Sequence, residues 1–229
     1  MSGSLFHLLL AGATAGDEER DYARELSVDT VVDVAGSLAG AQIREKRPSV
    51  SGTLRGVHVE LDQAFGRTRV SASMAPLAAP LRIDLRADTP PESALVETGK
   101  ARDDQLGDPE FDGAYIVERA PSDIATRLLD EAARRSLLEL RPTHVGVFGE
   151  GVILEWPDWQ PAETAVKALD LAATLVTRIP AAIAEADARA AAAGATPFRG
   201  VADAGPERAL NEARAHEVAE LEELQKRRR

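Results

Sequence analysis

With 229 residues and a formal net charge of −11 at pH 7, the chain is acidic and long enough for one domain or two small ones. Hydrophobic residues make up 44% and charged residues 28%, which excludes a wholly disordered protein. The absence of cysteine excludes disulfide scaffolds, zinc–thiolate sites and cysteine nucleophiles. The negative charge and the 4% of aromatic residues argue against nucleic acids and anionic membranes as partners.

Residues 5–10 form a short apolar stretch, and no lysine or arginine precedes it. A secretory signal needs a basic segment before its apolar core, and a membrane-spanning helix needs about 20 apolar residues. We therefore expect a cytoplasmic protein with no membrane partner. Residues 1–16 are predicted to be an N-terminal segment that holds a buried strand or half-turn of helix.

The first predicted elements are a helix, opened by acidic residues at 17–19, and a meander of strands. The β-branched residues at 28–34 predict an early end of the helical pattern, and residues 44–49 have the composition of an exposed loop. Strict alternation follows, with Val57 and Leu61 on one face and His58 and Glu60 on the other. The same period recurs downstream, which predicts half-buried antiparallel strands at 54–61, 69–74 and 81–86.

The second half of the chain begins with residues 87–106, whose prolines and weak periodicity predict a linker or a long surface loop. Four elements are expected to follow in order: a strand at 114–118, a helix at 122–140, a hairpin of strands 144–148 and 152–156 around a glycine-rich turn, and a helix at 161–179. Pro180 predicts a kink in the last of these, and an alanine-rich continuation reaches Ala193.

This order of elements predicts an α+β fold, in which helices pack on one face of an antiparallel sheet and a charged C-terminal helix follows. The expected organisation is an N-terminal segment at 1–16, an α+β body at 17–194, a linker at 195–205 and a helix at 206–229. A sub-boundary at 87–106 would divide the body, so one domain and two domains both remain open.

Searches for catalytic motifs find neither a phosphate-binding loop nor a nucleophile elbow. Paired glycines at 12–16 and 36–40 follow no strand that leads into a lysine-bearing helix, and we interpret them as turns. The four histidines lack metal-ligand spacing, which favours surface positions over ligands or bases: they are His7, His58, His144 and His216. Glu150, at the predicted hairpin tip, and Glu155 stand isolated. The sequence predicts no catalytic residue, metal ligand or cofactor.

The densest acidic group is Asp103, Asp104, Asp108, Glu110 and Asp112. Residues 108–113 match the first six positions of a calcium loop, but the twelfth position is Arg119, where a bidentate glutamate is required. A tight turn explains the pattern better, with aspartate side chains that accept local amide hydrogen bonds and Phe111 anchored in the core. A metal-dependent hydrolase that uses residues 103–112 is the alternative.

Trp156 and Trp159 lie three residues apart and leave two interpretations open. Together with the hairpin they could line a pocket for a small ligand. Alternatively, they plug the end of the sheet against the following helix, which is the more common use of such rings.

The stretch Gly107-Asp108-Pro109-Glu110-Phe111-Asp112, followed by a strand at 115–117 and a helix that ends in several leucines (137–140), resembles an element of uncharacterised bacterial proteins. The resemblance covers roughly residues 104–179. These proteins have no activity that could be transferred, so the resemblance supports the domain boundary and assigns no functional residue.

The segment 206–229 is formally neutral, with acids first and bases last, an order that complements a helix dipole. Its apolar positions form a narrow seam, and the residues predicted to bind a partner are Leu210, Val218, Leu221 and Leu224. Because an isolated helix of this length is marginal in water, the seam needs another surface. That surface could belong to its own body, to a second copy or to a different protein. The linker slightly favours an intermolecular contact.

We interpret the chain as a non-catalytic interaction or scaffold protein that acts through its sheet face and its C-terminal helix. This hypothesis explains the missing catalytic constellations, the acidic surface and the two linkers. The alternatives are a small-ligand-binding module and the metal-dependent hydrolase described above. The partner is expected to be another protein or a second copy of the chain.

Overall fold

The structure, a computed structural model, describes residues 27–44, 46–64, 67–75, 81–89, 93, 96, 103–118 and 122–195. The predicted N-terminal segment at 1–16 and the predicted helix at 206–229 lie outside these residues. Within the described part of the chain, no helix is both long and apolar enough to span a membrane.

One antiparallel sheet organises the described residues. Its strands are β1 Ala39–Arg44, β2 Ser49–Leu54, β3 Val57–Ala64, β4 Arg67–Ser73, β5 Arg82–Ala87, β6 Tyr115–Glu118, β7 His144–Phe148 and β8 Gly151–Trp156. Their spatial order is β1-β2-β3-β4-β8-β7-β5-β6. The meander β1–β4 is therefore continued by β8, and β5 lies between β7 and β6.

The helices are α1 at residues 27–35, α2 Pro109–Asp112, α3 Ser122–Leu128, α4 Glu131–Leu140 and α5 Ala162–Ala192. The long helix α5 packs across β3, β4 and β8, while α3 and α4 pack against α5. We call the covered side of the sheet the near face and the opposite side the far face. The predicted α+β class, with helices on one face of an antiparallel sheet, is confirmed.

A row of seven aliphatic side chains crosses the near face, and none of them has any exposed area. The row, in spatial order, is Val50, Leu61, Val70, Leu154, Val145, Leu85 and Val117. Each of the seven strands that lie from β2 to β6 in spatial order contributes one residue. Alternate residues of a strand point to the same face, so these seven side chains form a continuous row. α5 covers the part of this row on β2, β3, β4 and β8, and burial of the whole row supplies much of the hydrophobic driving force for folding.

The prediction of one strand at 54–61 is wrong. The chain turns at Arg55 and Gly56, which have φ values of 52° and 80°, and this two-residue turn joins β2 to β3. Positive φ at both central residues matches the twist of the flanking strands. The predicted loop at 44–49 is also shorter than expected, since Ser49 begins β2 and is 3% exposed.

Two helix predictions need correction. The predicted helix at 122–140 is interrupted at residues 129–130, where the Asp130 side chain accepts a hydrogen bond from the Ala133 amide at 2.8 Å and begins α4. The helix predicted at 161–179 and its predicted continuation to Ala193 form the single helix α5, which runs through Pro180, an exposed position, to Ala192. Helical structure at 28–34 does not end early, because Val31 and Val34 are buried and their packing outweighs β-branched propensity.

Candidate functional site

The far face displays polar and charged side chains in rows that run across the strands. One row contains Asp62, Arg69, Glu155, His144 and Arg86, which are successive partners from β3 to β5. The next row contains Glu60, Ser71, Ile153, Gly146 and Asp84. From Asp62 to His144 the charges alternate in sign across the strands, an arrangement that stabilises a sheet. The long helix α5 packs on the opposite, near face.

His144 lies at the centre of a charge cluster on the far face. Its Nδ1 is 2.9 Å from Glu155 Oε2, and its Nε2 is 3.2 Å from Asp84 Oδ1. The Arg82 Nε donates to Asp84 Oδ2 at 2.6 Å, and the Arg69 Nε lies 3.6 Å from Glu155 Oε1. The two carboxylates thus bracket one imidazole, and each carboxylate has an arginine on its other side.

Hydrogen bonds set the protonation of this cluster. Those with Asp84 and then Glu155 raise the pKa of His144 to about 9. Burial alone would raise the pKa of Asp84, but hydrogen bonds from His144 and Arg82 outweigh it and hold the value below its usual 3.8. The hydrogen bond from His144 likewise lowers the pKa of Glu155. At neutral pH the cluster therefore holds an imidazolium between two carboxylates.

This geometry suits charge pairing rather than catalysis by His144. Both ring nitrogens carry a proton in the imidazolium, and both are directed at carboxylates, so the ring offers no lone pair to a substrate. A general base also needs a pKa near the operating pH, whereas that of His144 lies well above neutrality. The arrangement orders the side chains of β5, β7 and β8 on one surface.

An apolar centre adjoins the cluster. Phe148 and Ile153 are half-buried on the far face, and Gly146 lies beside both. A Cβ on Gly146 would lie 2.6 Å from Cε2 of Phe148, so the ring covers the bare backbone there. The Arg82 guanidinium sits 5.7 Å from the centroid of the same ring, within cation–π range. The far face therefore combines an aromatic ring, an aliphatic side chain and paired charges.

The acidic turn uses its carboxylates to hold its own backbone. Asp112 accepts hydrogen bonds from three successive amides, at 106–108, at distances of 2.9 to 3.0 Å. The Asp108 side chain caps α2 by accepting a hydrogen bond from the Phe111 amide. It also accepts a hydrogen bond from Arg134 Nε at 2.8 Å, and this bond is the main cause of the lowered pKa of Asp108. Phe111 has no exposed area, and its ring centroid lies 5.1 Å from that of Tyr115. These contacts give the turn a structural role.

The remaining residues of the acidic group lie at the edge of the sheet or on the surface. Asp103 accepts the Val117 amide at 3.0 Å, and the Asp104 amide donates to the Val117 carbonyl at 2.9 Å. These two bonds occupy the outer edge of β6, which would otherwise offer unpaired backbone groups. Glu110 lines a shallow groove of about 600 Å³ between α2 and α4. No group of three potential metal ligands occurs among the described residues.

The structure separates the two tryptophans. Trp156 is 4% exposed, and its Nε1 donates to the Leu140 carbonyl at 3.0 Å, which ties the end of β8 to the end of α4. Trp159 is half-buried beyond the strand. This hydrogen bond of Trp156 is structural, but it joins the strand to the preceding helix α4 and not to the following helix.

Several residues singled out by sequence have other surroundings than expected. Glu155 is not isolated, because it contacts both His144 and Arg69. His58 is exposed on the far face, whereas His144 is half-buried between carboxylates. Of the glycines at 36–40, Gly36 lies in the turn between α1 and β1, and Gly40 lies in β1. The other two histidines, the glycines at 12–16 and the residues predicted to bind a partner lie outside the described residues: His7, His216, Leu210, Val218, Leu221 and Leu224.

Sequence reasoning missed the pairing of His144 with Asp84. The two residues are 60 positions apart and meet because β5 pairs with β7. The alternation of 81–86 and 144–148 could have placed both side chains on a polar face. Strand order, which the alternation does not contain, was the missing information.

Comparisons with known proteins identify no family. No family model and no curated protein matches the chain. Among solved structures, the mycobacterial trehalose monomycolate transport factor A is similar at 14% identity and a TM-score of 0.40, over 66% of this chain and 95% of that one. A likeness at this level supports no conclusion about fold or function.

Proposed function

We propose that this protein is a non-catalytic interaction protein, and that another folded protein binds its far face. The observation that carries the proposal is the far face itself, across the strands that lie from β2 to β6 in spatial order. It lies opposite α5 and is mostly exposed or half-buried, and its apolar centre is set among paired charges. A surface of this kind suits docking of a partner better than turnover of a small molecule.

Charge distinguishes the far face from the rest of the chain. On the seven strands that lie from β2 to β6 in spatial order, the positive groups of the face are Arg67, Arg69, Arg82, Arg86 and the His144 imidazolium, and the carboxylates are Glu60, Asp62, Asp84, Glu118 and Glu155. These ten groups balance, although the whole chain carries −11. The far face is thus a neutral area on an acidic protein, where a protein partner of either net charge can approach with little repulsion.

The apolar centre supplies contacts that release water on binding. Aromatic and arginine side chains carry much of the energy of known interfaces, particularly near the middle of the buried patch. Phe148, Arg82 and Ile153 occupy that position here, with small residues at Gly146 and Ser71 around them. A partner with a complementary flat surface would cover this centre and leave the paired charges at the rim.

The alternatives receive less support from the contacts. A metal-dependent hydrolase at 103–112 would need free carboxylate oxygens, but the oxygens of Asp112, Asp108 and Asp103 accept backbone or arginine donors. A small-ligand pocket at the tryptophans would need an open ring surface, and Trp156 is buried. A contribution of the 206–229 helix to partner binding stays a prediction, as does the cytoplasmic location.

A comparison of two charge-matched variants tests the proposal. Ser71→Glu with Ile153→Glu alters the far face, and Thr177→Glu with Ala184→Glu adds the same charge to exposed positions of α5. The experiment first identifies proteins that co-purify with both the wild type and the α5 variant. Binding of each selected protein, once purified, is then measured by calorimetry.

We expect the far-face variant to bind at least about tenfold more weakly, a loss of about 1.4 kcal/mol, and the α5 variant to bind like the wild type. Circular dichroism and thermal melting establish that both variants are folded. If every partner binds the folded far-face variant as tightly as the wild type, the far face is not the docking surface.

A further inference from the structure

A groove between α4 and α5 offers a second surface on the helical side of the protein. It has a volume of about 510 Å³, and Leu54 of β2 is among its lining residues. From α5 it receives residues spaced as one helical stripe, from Val166 to Arg178, and from α4 it receives a stripe between Ala132 and Leu140. We call this the α4–α5 groove.

The groove has an apolar floor and a charged rim. Leu140 and Leu171 lie at the bottom, while Val166 and Leu54 are half-exposed beside them. The α4 side carries small residues, including Ala132 and Ser136, which allow another helix to approach closely. An apolar floor between two helices, flanked by small residues, is the shape that an amphipathic helix fills.

We propose that the α4–α5 groove is occupied by the 206–229 segment of the same chain, packed antiparallel to α5. The segment has the one-sided apolar seam that such a groove requires, with Val218, Leu221 and Leu224 in its second half. This assignment selects the first of the three surfaces left open by the sequence. It concerns the protein without a partner and is independent of the far-face proposal.

The length of the chain allows this packing. α5 ends at Ala192, about 27 Å along the helix from Thr174 in the groove. Residues 193–205 can span up to about 43 Å when extended, and the 206–229 segment is about 36 Å long as a helix. If Pro206 lies beside the end of α5, an antiparallel helix brings Leu224 level with Thr174.

The charges agree with the same alignment. Glu220 then lies level with Arg178, and Arg228 lies level with Asp170. The side chains of Arg178 and Asp170 are 38% and 43% exposed at the rim, where they already pair with Asp130 and Arg55. Glu139, on the α4 side, is also exposed and pairs with Lys167, which lines the groove as well. The segment can share these exposed ion pairs, so its order of acids and bases is compatible with this alignment.

Site-directed crosslinking of the full chain tests the proposal, because the natural sequence contains no cysteine. Thr174→Cys with Gln225→Cys places one thiol at the groove and one beside the seam. Ser73→Cys with Gln225→Cys is the control pair, since Ser73 is exposed on the far face. Each purified protein is treated with a short bis-maleimide reagent, and the products are separated on a denaturing gel at several protein concentrations.

We expect the Thr174/Gln225 pair to give a crosslink within one chain at least about tenfold faster than the control pair, because docking raises the effective concentration of the thiols. Leu221→Asp should abolish this difference, while Ala219→Asp, on the opposite side of the predicted helix, should preserve it. Equal rates for the two pairs, or no crosslink at either, would overturn the docking. Crosslinks between chains that increase with concentration would assign the groove to a second copy instead.

Discussion

Replacing His144 by glutamine tests the charge cluster at the centre of the far face. The imidazole bridges Asp84 and Glu155, and hydrogen bonds to them raise its pKa from 6.5 to about 9. A shift of this size corresponds to at most about 3 kcal/mol of stability. Because 31% of the side chain is exposed, solvent screening reduces the expected contribution to about 1–2 kcal/mol.

The pH dependence follows from the direction of the shift. A pKa that is higher in the folded state stabilises the protein fully below the unfolded value, near pH 6.5. The contribution then decreases as the pH rises and is absent above pH 9. In urea unfolding, His144→Gln should therefore cost about 1–2 kcal/mol at pH 6 and close to nothing at pH 9.5.

His58→Gln is the matched control, because that histidine is exposed on the same face. Its effect on stability should stay within about 0.5 kcal/mol at every pH. The reasoning is refuted if His144→Gln has the same effect at pH 6 and pH 9.5. A midpoint near 6.5 in an NMR titration of the His144 ring would refute it as well.

Four further substitutions test the packing. Leu128→Ala and Leu169→Ala remove fully buried side chains, and each should lower the free energy of unfolding by about 2–5 kcal/mol. A loss under about 0.5 kcal/mol at both positions would show that these faces of α3 and α5 are not part of the core. Phe111→Ala should cost about 3–5 kcal/mol in urea unfolding, and an unchanged midpoint would contradict the anchoring of the acidic turn. Gly151→Ala would place a Cβ 2.3 Å from the Ala72 carbonyl oxygen, so its melting temperature should fall by several degrees, and an unaltered melting curve would contradict this contact.

The sequence predicted best those strands that bury one face only. β3, β4 and β5 alternate clearly because α5 and its neighbours cover the near face while the far face stays polar. The sequence did not predict β1, because this strand buries neither of its faces. All six of its residues are exposed, so no burial pattern marks it in the sequence. β2 was partly assigned to the next strand because Arg55 and Gly56 make a turn without the more familiar Asn-Gly pair.

The helices show how packing overrides local signals. Residues 122–140 carry one continuous apolar stripe, which predicts a single helix. Asp130 caps a second helix within this stretch, so the stripe is divided between α3 and α4. α5 keeps its helical form at Pro180, where an exposed position and the flanking alanines limit the cost of the missing hydrogen bond. The periodicity of apolar residues predicts which residues face the core, but it does not predict where a helix is interrupted.

The candidate site could not be read from the sequence because it is a product of strand order. Asp84, His144 and Glu155 come from three strands, and two of the contacts depend on β7 lying between β5 and β8. Any one of these residues, taken alone, resembles a solvent-facing side chain in an alternating strand. Only the antiparallel pairing makes them neighbours.

The charge cluster also explains how an acidic residue tolerates burial on the far face. The Asp84 side chain is 4% exposed, and an unpaired carboxylate there would be costly. Arg82 and His144 supply the donors it needs, and they thereby restrict the side chains around Phe148 before any partner arrives. Binding to a surface that is already ordered loses less conformational entropy. The contacts that stabilise the sheet would therefore also order the far face for the partner binding proposed above.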